Sequence, residues 1–282
     1  MNKIKYVLVL LMFIFSSLAK AAALNRAIPY RDLGQGTPLV LIHAFPTDQE
    51  LWVPQIAELK QHFRILTLDL WGFGRHITSG TEGQAVTMAE YAEEVKRLLD
   101  TLHIQKAIIG GESMGGYIAL AFFKKYPDRV EGLILSDTQS IADTPEVKAK
   151  REIAAANILE NGPASFIQTF MSKALSPQAS KQTQQYLQTM IEAQKPTSMA
   201  SALRGMALRE DTSALLAKTT LPILIITGKE DALISPQQSQ NMHALAKNSK
   251  LIIIPQAGHL SNLEQPIRWN QAVIAMFDKG NV

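Results

Sequence analysis

Six stretches of the chain are apolar almost without interruption: PLVLIHA (38–44), FRILTLDL (63–70), KAIIGGE (106–112), VEGLILSD (130–137), LPILIITG (221–228) and KLIIIPQ (250–256). Runs of this length that do not alternate suit strands buried on both faces of a parallel sheet. The segments between them carry helix starts. Thr87 with Glu90 has the pattern of a capping box ahead of MAEYAEEVKRLLDTL, and Ser235 stands as an N-cap before Pro236 at the first helical position. Strands alternating with helices predict an α/β, doubly wound architecture.

The alternation stops between Ile141 and Leu216. This span is helical in pattern and holds no buried strand. Prolines break it at Gly162-Pro163, Ser176-Pro177 and Lys195-Pro196, which predicts about four short helices. At about 75 residues it is far longer than an ordinary connection, so it is expected to lie as a cap over one edge of the sheet.

The first residues follow another pattern. Lys3 and Lys5 precede a run of 10 apolar residues, Tyr6 to Phe15, and an Ala-x-Ala site at Ala19, Lys20 and Ala21 follows. A membrane span needs about 20 apolar residues. A basic start, a short apolar middle and a small-residue site instead predict a secretory signal peptide over residues 1–21, with export to the periplasm or beyond. Cleavage is expected after Ala21, with Ala23 as second choice.

Charge changes the picture only through that leader. The chain has 28 Lys and Arg against 25 Asp and Glu, and Lys3, Lys5 and Lys20 supply the whole excess. The mature domain is therefore neutral, which argues against a nucleic-acid partner. There is no cysteine, which excludes disulfides, thiol nucleophiles and thiolate metal sites. The six histidines have no close metal-ligand spacing, so neither a metal nor another cofactor is implied.

Candidate chemistry centres on GGESMGG, residues 110–116. Ser113 directly follows one predicted strand and directly precedes the helical pattern MGGYIALAFFKKYP, so Gly111 to Gly115 satisfy G-x-S-x-G in its strand–turn–helix setting. In so sharp a turn neighbouring Cβ atoms would collide. Gly111 and Gly115 remove them, and Gly116 lets the helix approach the sheet. The serine hydroxyl is left exposed at the C-terminal edge of the sheet.

From these residues the chain resembles the α/β-hydrolase superfamily over almost all of its mature length. LIHAFPTDQELW is similar to the family's oxyanion loop, DLWGFGRH to its D-x-x-G-x-G-x-S turn, ITGKED to its acid loop and PQAGHLSNLEQP to its histidine loop. The order Ser, Asp, His also agrees. LSDTQSIADTPE and the helical cap look like those of small esterases, enol-lactonases and cofactor-free haloperoxidases. The resemblance implies an α/β-hydrolase fold divided into a leader (1–21), a first core part (22–140), a helical cap (141–216) and a second core part (217–282). Two positions depart from the family pattern: Ala44 stands where many relatives have glycine, and His76 where serine is usual.

The resemblance implies roles as well. Ser113 needs a base to become a nucleophile, and His259 matches the family's. Asp231 matches the acid that orients it, while Asp137, after the preceding core strand, occupies a place where some hydrolases carry that acid instead. The amides of Phe45 and Met114 match the oxyanion donors. His43 is implied as a brace for the oxyanion loop, and His62, His103 and His243 read as surface or packing residues. Trp52 fits a core pattern, whereas Trp71, in a loop near the active edge, is open to a stacking role.

In the cap, Phe166, Phe170, Met171, Met190 and Met206 have helix-compatible apolar spacings, with the first three taken as substrate-binding. The expected activity is that of an exported serine hydrolase cleaving small-molecule carboxylic esters through an acyl-enzyme. Lactone hydrolysis and haloperoxidase or perhydrolase chemistry share the same triad. A non-catalytic binding protein on this fold would be expected to lack a triad member.

Overall fold

The computed structural model describes residues 27–76, 82–278 and 280, so the expected leader lies outside the described residues. In chain order the strands are β1 (Tyr30–Leu33), β2 (Pro38–Ile42), β3 (Arg64–Leu68), β4 (Ala107–Glu112), β5 (Val130–Ser136), β6 (Ile223–Gly228) and β7 (Ser249–Ile254). They form one sheet in the order β1-β3-β2-β4-β5-β6-β7. β2 to β7 coincide with the six apolar runs and pair in parallel, while β1 pairs antiparallel with β3.

β4 and β6 are buried at every position, which is why their sequences do not alternate. The edges behave differently. β7 was expected to be buried on both faces, yet only Ile254 is fully buried and Ile253 is exposed. β1 was not anticipated. YRDL is mostly exposed and shows neither an apolar run nor a buried alternation; its backbone pairing with β3 makes it a strand.

The helices are α1 (Val53–Leu59), α2 (Met88–Thr101), α3 (Met114–Lys125), α4 (Pro145–Asn161), α5 (Ala164–Ala174), α6 (Lys181–Glu192), α7 (Pro196–Ala207), α8 (Ser213–Lys218), α9 (Pro236–Leu245), α10 (Ser261–Glu264) and α11 (Pro266–Phe277). Thr87 and Glu90 close a reciprocal capping box on α2. Ser235 Oγ accepts from the Gln237 amide at the start of α9. Trp52, in a 3₁₀ turn leading into α1, packs with its ring centroid 5.3 Å from that of Trp269 on α11, and both are fully buried.

The span between β5 and β6 holds five helices, α4 to α8, rather than about four. The three proline breaks fall between α4 and α5, α5 and α6, and α6 and α7. The fourth break contains no proline. Asp211 Oδ1 accepts from the Ser213 amide at 2.8 Å, and the Thr212 amide bonds to the Ser140 carbonyl at 2.8 Å, a polar turn that starts α8. Because β2 to β7 run in one direction, their C-terminal ends share one edge, where loops from β2, β4, β6 and β7 meet.

Candidate active site

β4 ends at Glu112, and Ser113 turns the chain into α3 with φ 52° and ψ −110°. Few residues other than glycine adopt such angles. The surroundings hold them in place: the Ser113 amide donates to the Ser136 carbonyl at 2.8 Å, and Thr138 Oγ1 donates to the Ser113 carbonyl at 2.8 Å. A Cβ on Gly111 would stand 2.1 Å from the Gly115 backbone, and one on Gly115 would stand 2.1 Å from the Ile42 carbonyl oxygen. Side chains at these two positions are incompatible with the turn.

Three side chains from separate loops meet at this turn, and all are buried. Ser113 Oγ lies 2.7 Å from His259 Nε2, and His259 Nδ1 lies 2.8 Å from Asp231 Oδ2. The other Asp231 oxygen accepts from the Leu233 and Ile234 amides, each at 2.8 Å. A proton on Nδ1 directed at Asp231 leaves Nε2 as the acceptor facing the serine hydroxyl, the tautomer a general base requires. Burial pulls the His259 pKa down, but the charge and hydrogen bond of Asp231, with a further contribution from Asp137, leave it raised. Asp137 itself bonds to the Gly228 amide and Ser261, not to His259.

Met114 directly follows the serine, and Phe45 lies in the loop after β2, whose Ile42 and His43 carbonyls stand against Gly115. Met114 is the first residue of α3, where an amide has no intrahelical partner. Among the described residues, neither its amide nor that of Phe45 donates to a protein carbonyl. His43 braces the loop: Nδ1 donates to the Ala44 carbonyl at 2.9 Å, and Nε2 accepts from the Leu70 amide at 3.2 Å. Burial lowers its pKa, so it stays neutral. Ala44 lies outside the residues with positive φ, so its Cβ introduces no strain. His76 is buried beside the Asp69 carbonyl at 3.2 Å and Glu94 at 3.5 Å. Trp71 is buried as well, its amide donating to Glu94 Oε2 at 2.8 Å.

Of the insertion residues expected to bind substrate, Phe166 packs against the Phe45 loop, with its ring centroid 5.7 Å from that of Phe45. Phe170 stacks behind it at 6.0 Å. Met171 is partly buried against the core, and Met190 and Met206 are buried. Two polar ties that sequence reasoning missed hold the insertion over the site. Gln194 Nε2 donates to Asp48 Oδ2 at 2.9 Å while its Oε1 accepts from the Gly74 amide at 2.9 Å. Glu264 accepts from Ser176 Oγ at 2.6 Å and from the Gly258 amide at 2.7 Å, beside His259. Nothing local to Gln194 or Glu264 in the sequence signals these partners.

His62 bonds to Asp278 and His243 to Ser249, both away from the serine. Among the described residues no cluster of three His, Cys, Asp or Glu is placed to hold a metal ion, and no helix is long and apolar enough to cross a membrane. A cavity of about 520 Å³ lies behind α3, lined in part by Tyr117, Leu120, Leu208 and Arg209, and does not include Ser113.

Comparison with known proteins shows which family the chain resembles over most of its length. A thermophilic esterase from Thermogutta terrifontis, solved with malate bound, matches with a TM-score of 0.84 and 34% identity over 88% of this chain and 92% of its own. 3-Oxoadipate enol-lactonase 1 of Acinetobacter baylyi is 28% identical over 83% of this chain and 85% of its own length. A pimeloyl-[acyl-carrier protein] methyl ester esterase of Aliivibrio fischeri is 27% identical over 80% and 88% respectively. A family model described as the alpha/beta hydrolase fold matches residues 37–266, from the strand before the Phe45 loop to the helix after His259, and the chain belongs to that family.

Proposed function

We propose that the protein is a serine hydrolase that cleaves small-molecule carboxylic esters through an acyl-enzyme. The observation that carries this reading is the unbroken line from Ser113 Oγ to His259 Nε2, and from His259 Nδ1 to Asp231, at 2.7 and 2.8 Å. His259 takes the hydroxyl proton as Ser113 Oγ attacks the ester carbonyl, and Asp231 holds the imidazolium that results. The carbonyl oxygen becomes an oxyanion between the Phe45 and Met114 amides. Each such donor contributes roughly 3 kcal/mol to lowering the barrier. Collapse expels the alcohol, which takes its proton from His259, and water activated by the same imidazole then releases the acid.

Phe166, against Phe45, is the proposed wall of the acyl pocket, with Phe170 behind it. This favours short to medium acyl chains. Lactone opening is the second reading, supported by the enol-lactonase among the relatives. It uses the same atoms, with the leaving alcohol still tethered to the acyl group. A panel of esters of increasing acyl length, assayed beside a lactone panel, separates the two. Ester kcat/KM well above lactone kcat/KM is expected, and the reverse order would replace the ester reading. The protein is further proposed to be exported. Material recovered outside the cytoplasm should then begin at Ala22 or Leu24 by intact mass, and an intact Met1 would contradict this.

A further inference from the structure

Beneath the triad lies a pair of buried acids that this chemistry does not use. Asp137 follows β5, has φ 47°, and is fully buried together with Glu112, Ser136 and Ser261. Three donors converge on its carboxylate. The Gly228 amide bonds to Oδ1 at 2.7 Å, Ser136 Oγ donates to Oδ2 at 3.2 Å, and Ser261 Oγ also donates to Oδ2. Trp269 Nε1 donates to Ser136 Oγ at 3.0 Å, which leaves the Ser136 proton for Asp137. Gly228 opens the loop that carries Asp231, and Ser261 lies just beyond His259. One carboxylate thus joins the segments bearing the triad acid and base.

Glu112 is the opposite case. Both its carboxyl oxygens are sealed from solvent and make no hydrogen bond of normal geometry among the described residues; the polar side chains that act on them are Ser136 and the second acid, Asp137. A buried anion without donors is costly, whereas the protonated acid is far less so. The titratable groups facing the pair are Asp231 and His259. Burial, then the charge of Asp137, holds Glu112 well above the usual carboxyl range. Burial and the charge of Asp231 push Asp137 up to about 7.

We propose that Asp137 is a positioning residue for the hydrolysis: the member of the Glu112–Asp137 pair that ionises, it clamps the Asp231 loop to the His259 loop and sets a second negative charge behind His259. The inference rests on the serine-hydrolase reading. Its consequence is a coupled titration. Loss of the Asp137 proton favours retention of the His259 proton, so the acidic limb of the pH profile spreads over more than a one-proton width.

Asp137→Asn removes the charge at every pH while an amide oxygen can still accept from Gly228. The acidic limb of kcat/KM is expected to move down by about half to one pH unit and to narrow to a one-proton shape. Plateau kcat should fall several-fold with little change in KM. Glu112→Gln keeps a neutral side chain of the same shape and should leave the limb where wild type has it. Ser261→Ala breaks one arm of the clamp and removes a donor that favours the Asp137 anion, so it should lower kcat and move the limb in the same direction as Asp137→Asn, by less.

An Asp137→Asn limb coincident with wild type overturns the proposal, as does a Glu112→Gln shift as large as that of Asp137→Asn. Should Asp137→Asn fail to fold, an unchanged kcat in Ser261→Ala overturns it. These failures are distinct from failure of the triad, which would appear as retained turnover in Ser113→Ala.

Discussion

The turn at Ser113 shows why some residues can be read from sequence and others cannot. Its backbone angles, φ 52° and ψ −110°, require glycines within two residues on either side, so the signal is local and appears in the sequence as GGESMGG. His259 and Asp231 follow strand ends in recognisable turns, and the expectation for each was tied to its own loop. The Gln194 tie to Asp48 spans 146 positions, and the Asp137 bonds to Gly228 and Ser261 span 91 and 124. Each partner there is an ordinary residue in its own neighbourhood, and only the fold brings it to the other. At this scale the reading predicts that Asp231→Asn leaves the fold intact, as judged by circular dichroism. Its turnover should fall by a factor on the order of ten thousand, because the amide favours the wrong imidazole tautomer. If Asp137→Asn were the more damaging of the two, the assignment of the orienting acid would be reversed.

At the scale of elements, the buried parallel strands were legible because burial on both faces removes alternation. The two edges were not. β1 is mostly exposed and polar, and β7 keeps an apolar sequence although Ile253 faces solvent. α8 was missed because its start is made by Asp211 and Thr212 hydrogen bonds rather than by proline. Within the insertion, α5 brings Phe166, the proposed wall of the acyl pocket, against Phe45. Phe166 is only partly buried, so Phe166→Ala should lower stability modestly, by about 1 to 2 kcal/mol. Its larger effect should be on selectivity, raising kcat/KM for longer acyl chains relative to short ones. A variant that loses stability while keeping the wild-type chain-length profile would remove Phe166 from the acyl pocket.

Across the whole molecule, the loop after β3 rests on a buried acid whose ionisation works against the fold. Glu94 is fully buried, and burial raises its pKa from the usual 4.5 to about 8, although it accepts a hydrogen bond from the Trp71 amide. Between those two values the unfolded chain has released the proton and the folded chain still holds it. The unfolded state then binds fewer protons, so stability falls as pH rises through this window. Glu94→Gln has no proton to lose. The difference in Tm, variant minus wild type, should therefore grow from pH 4.5 to pH 8 and level off above. A difference independent of pH would show that Glu94 is not buried as an acid.

The central claim is that Ser113 is the nucleophile, and covalent trapping tests it most directly. A fluorophosphonate probe incubated with wild-type protein, followed by peptide mass mapping, should give one adduct, on Ser113. That adduct should be absent from Ser113→Ala and should form far more slowly in His259→Ala. Ester turnover in Ser113→Ala should fall by several orders of magnitude while its Tm stays near wild type, since one hydroxyl is removed and no cavity is made. Hydrolysis by wild-type protein without a Ser113 adduct, or near wild-type turnover in Ser113→Ala, would contradict the account.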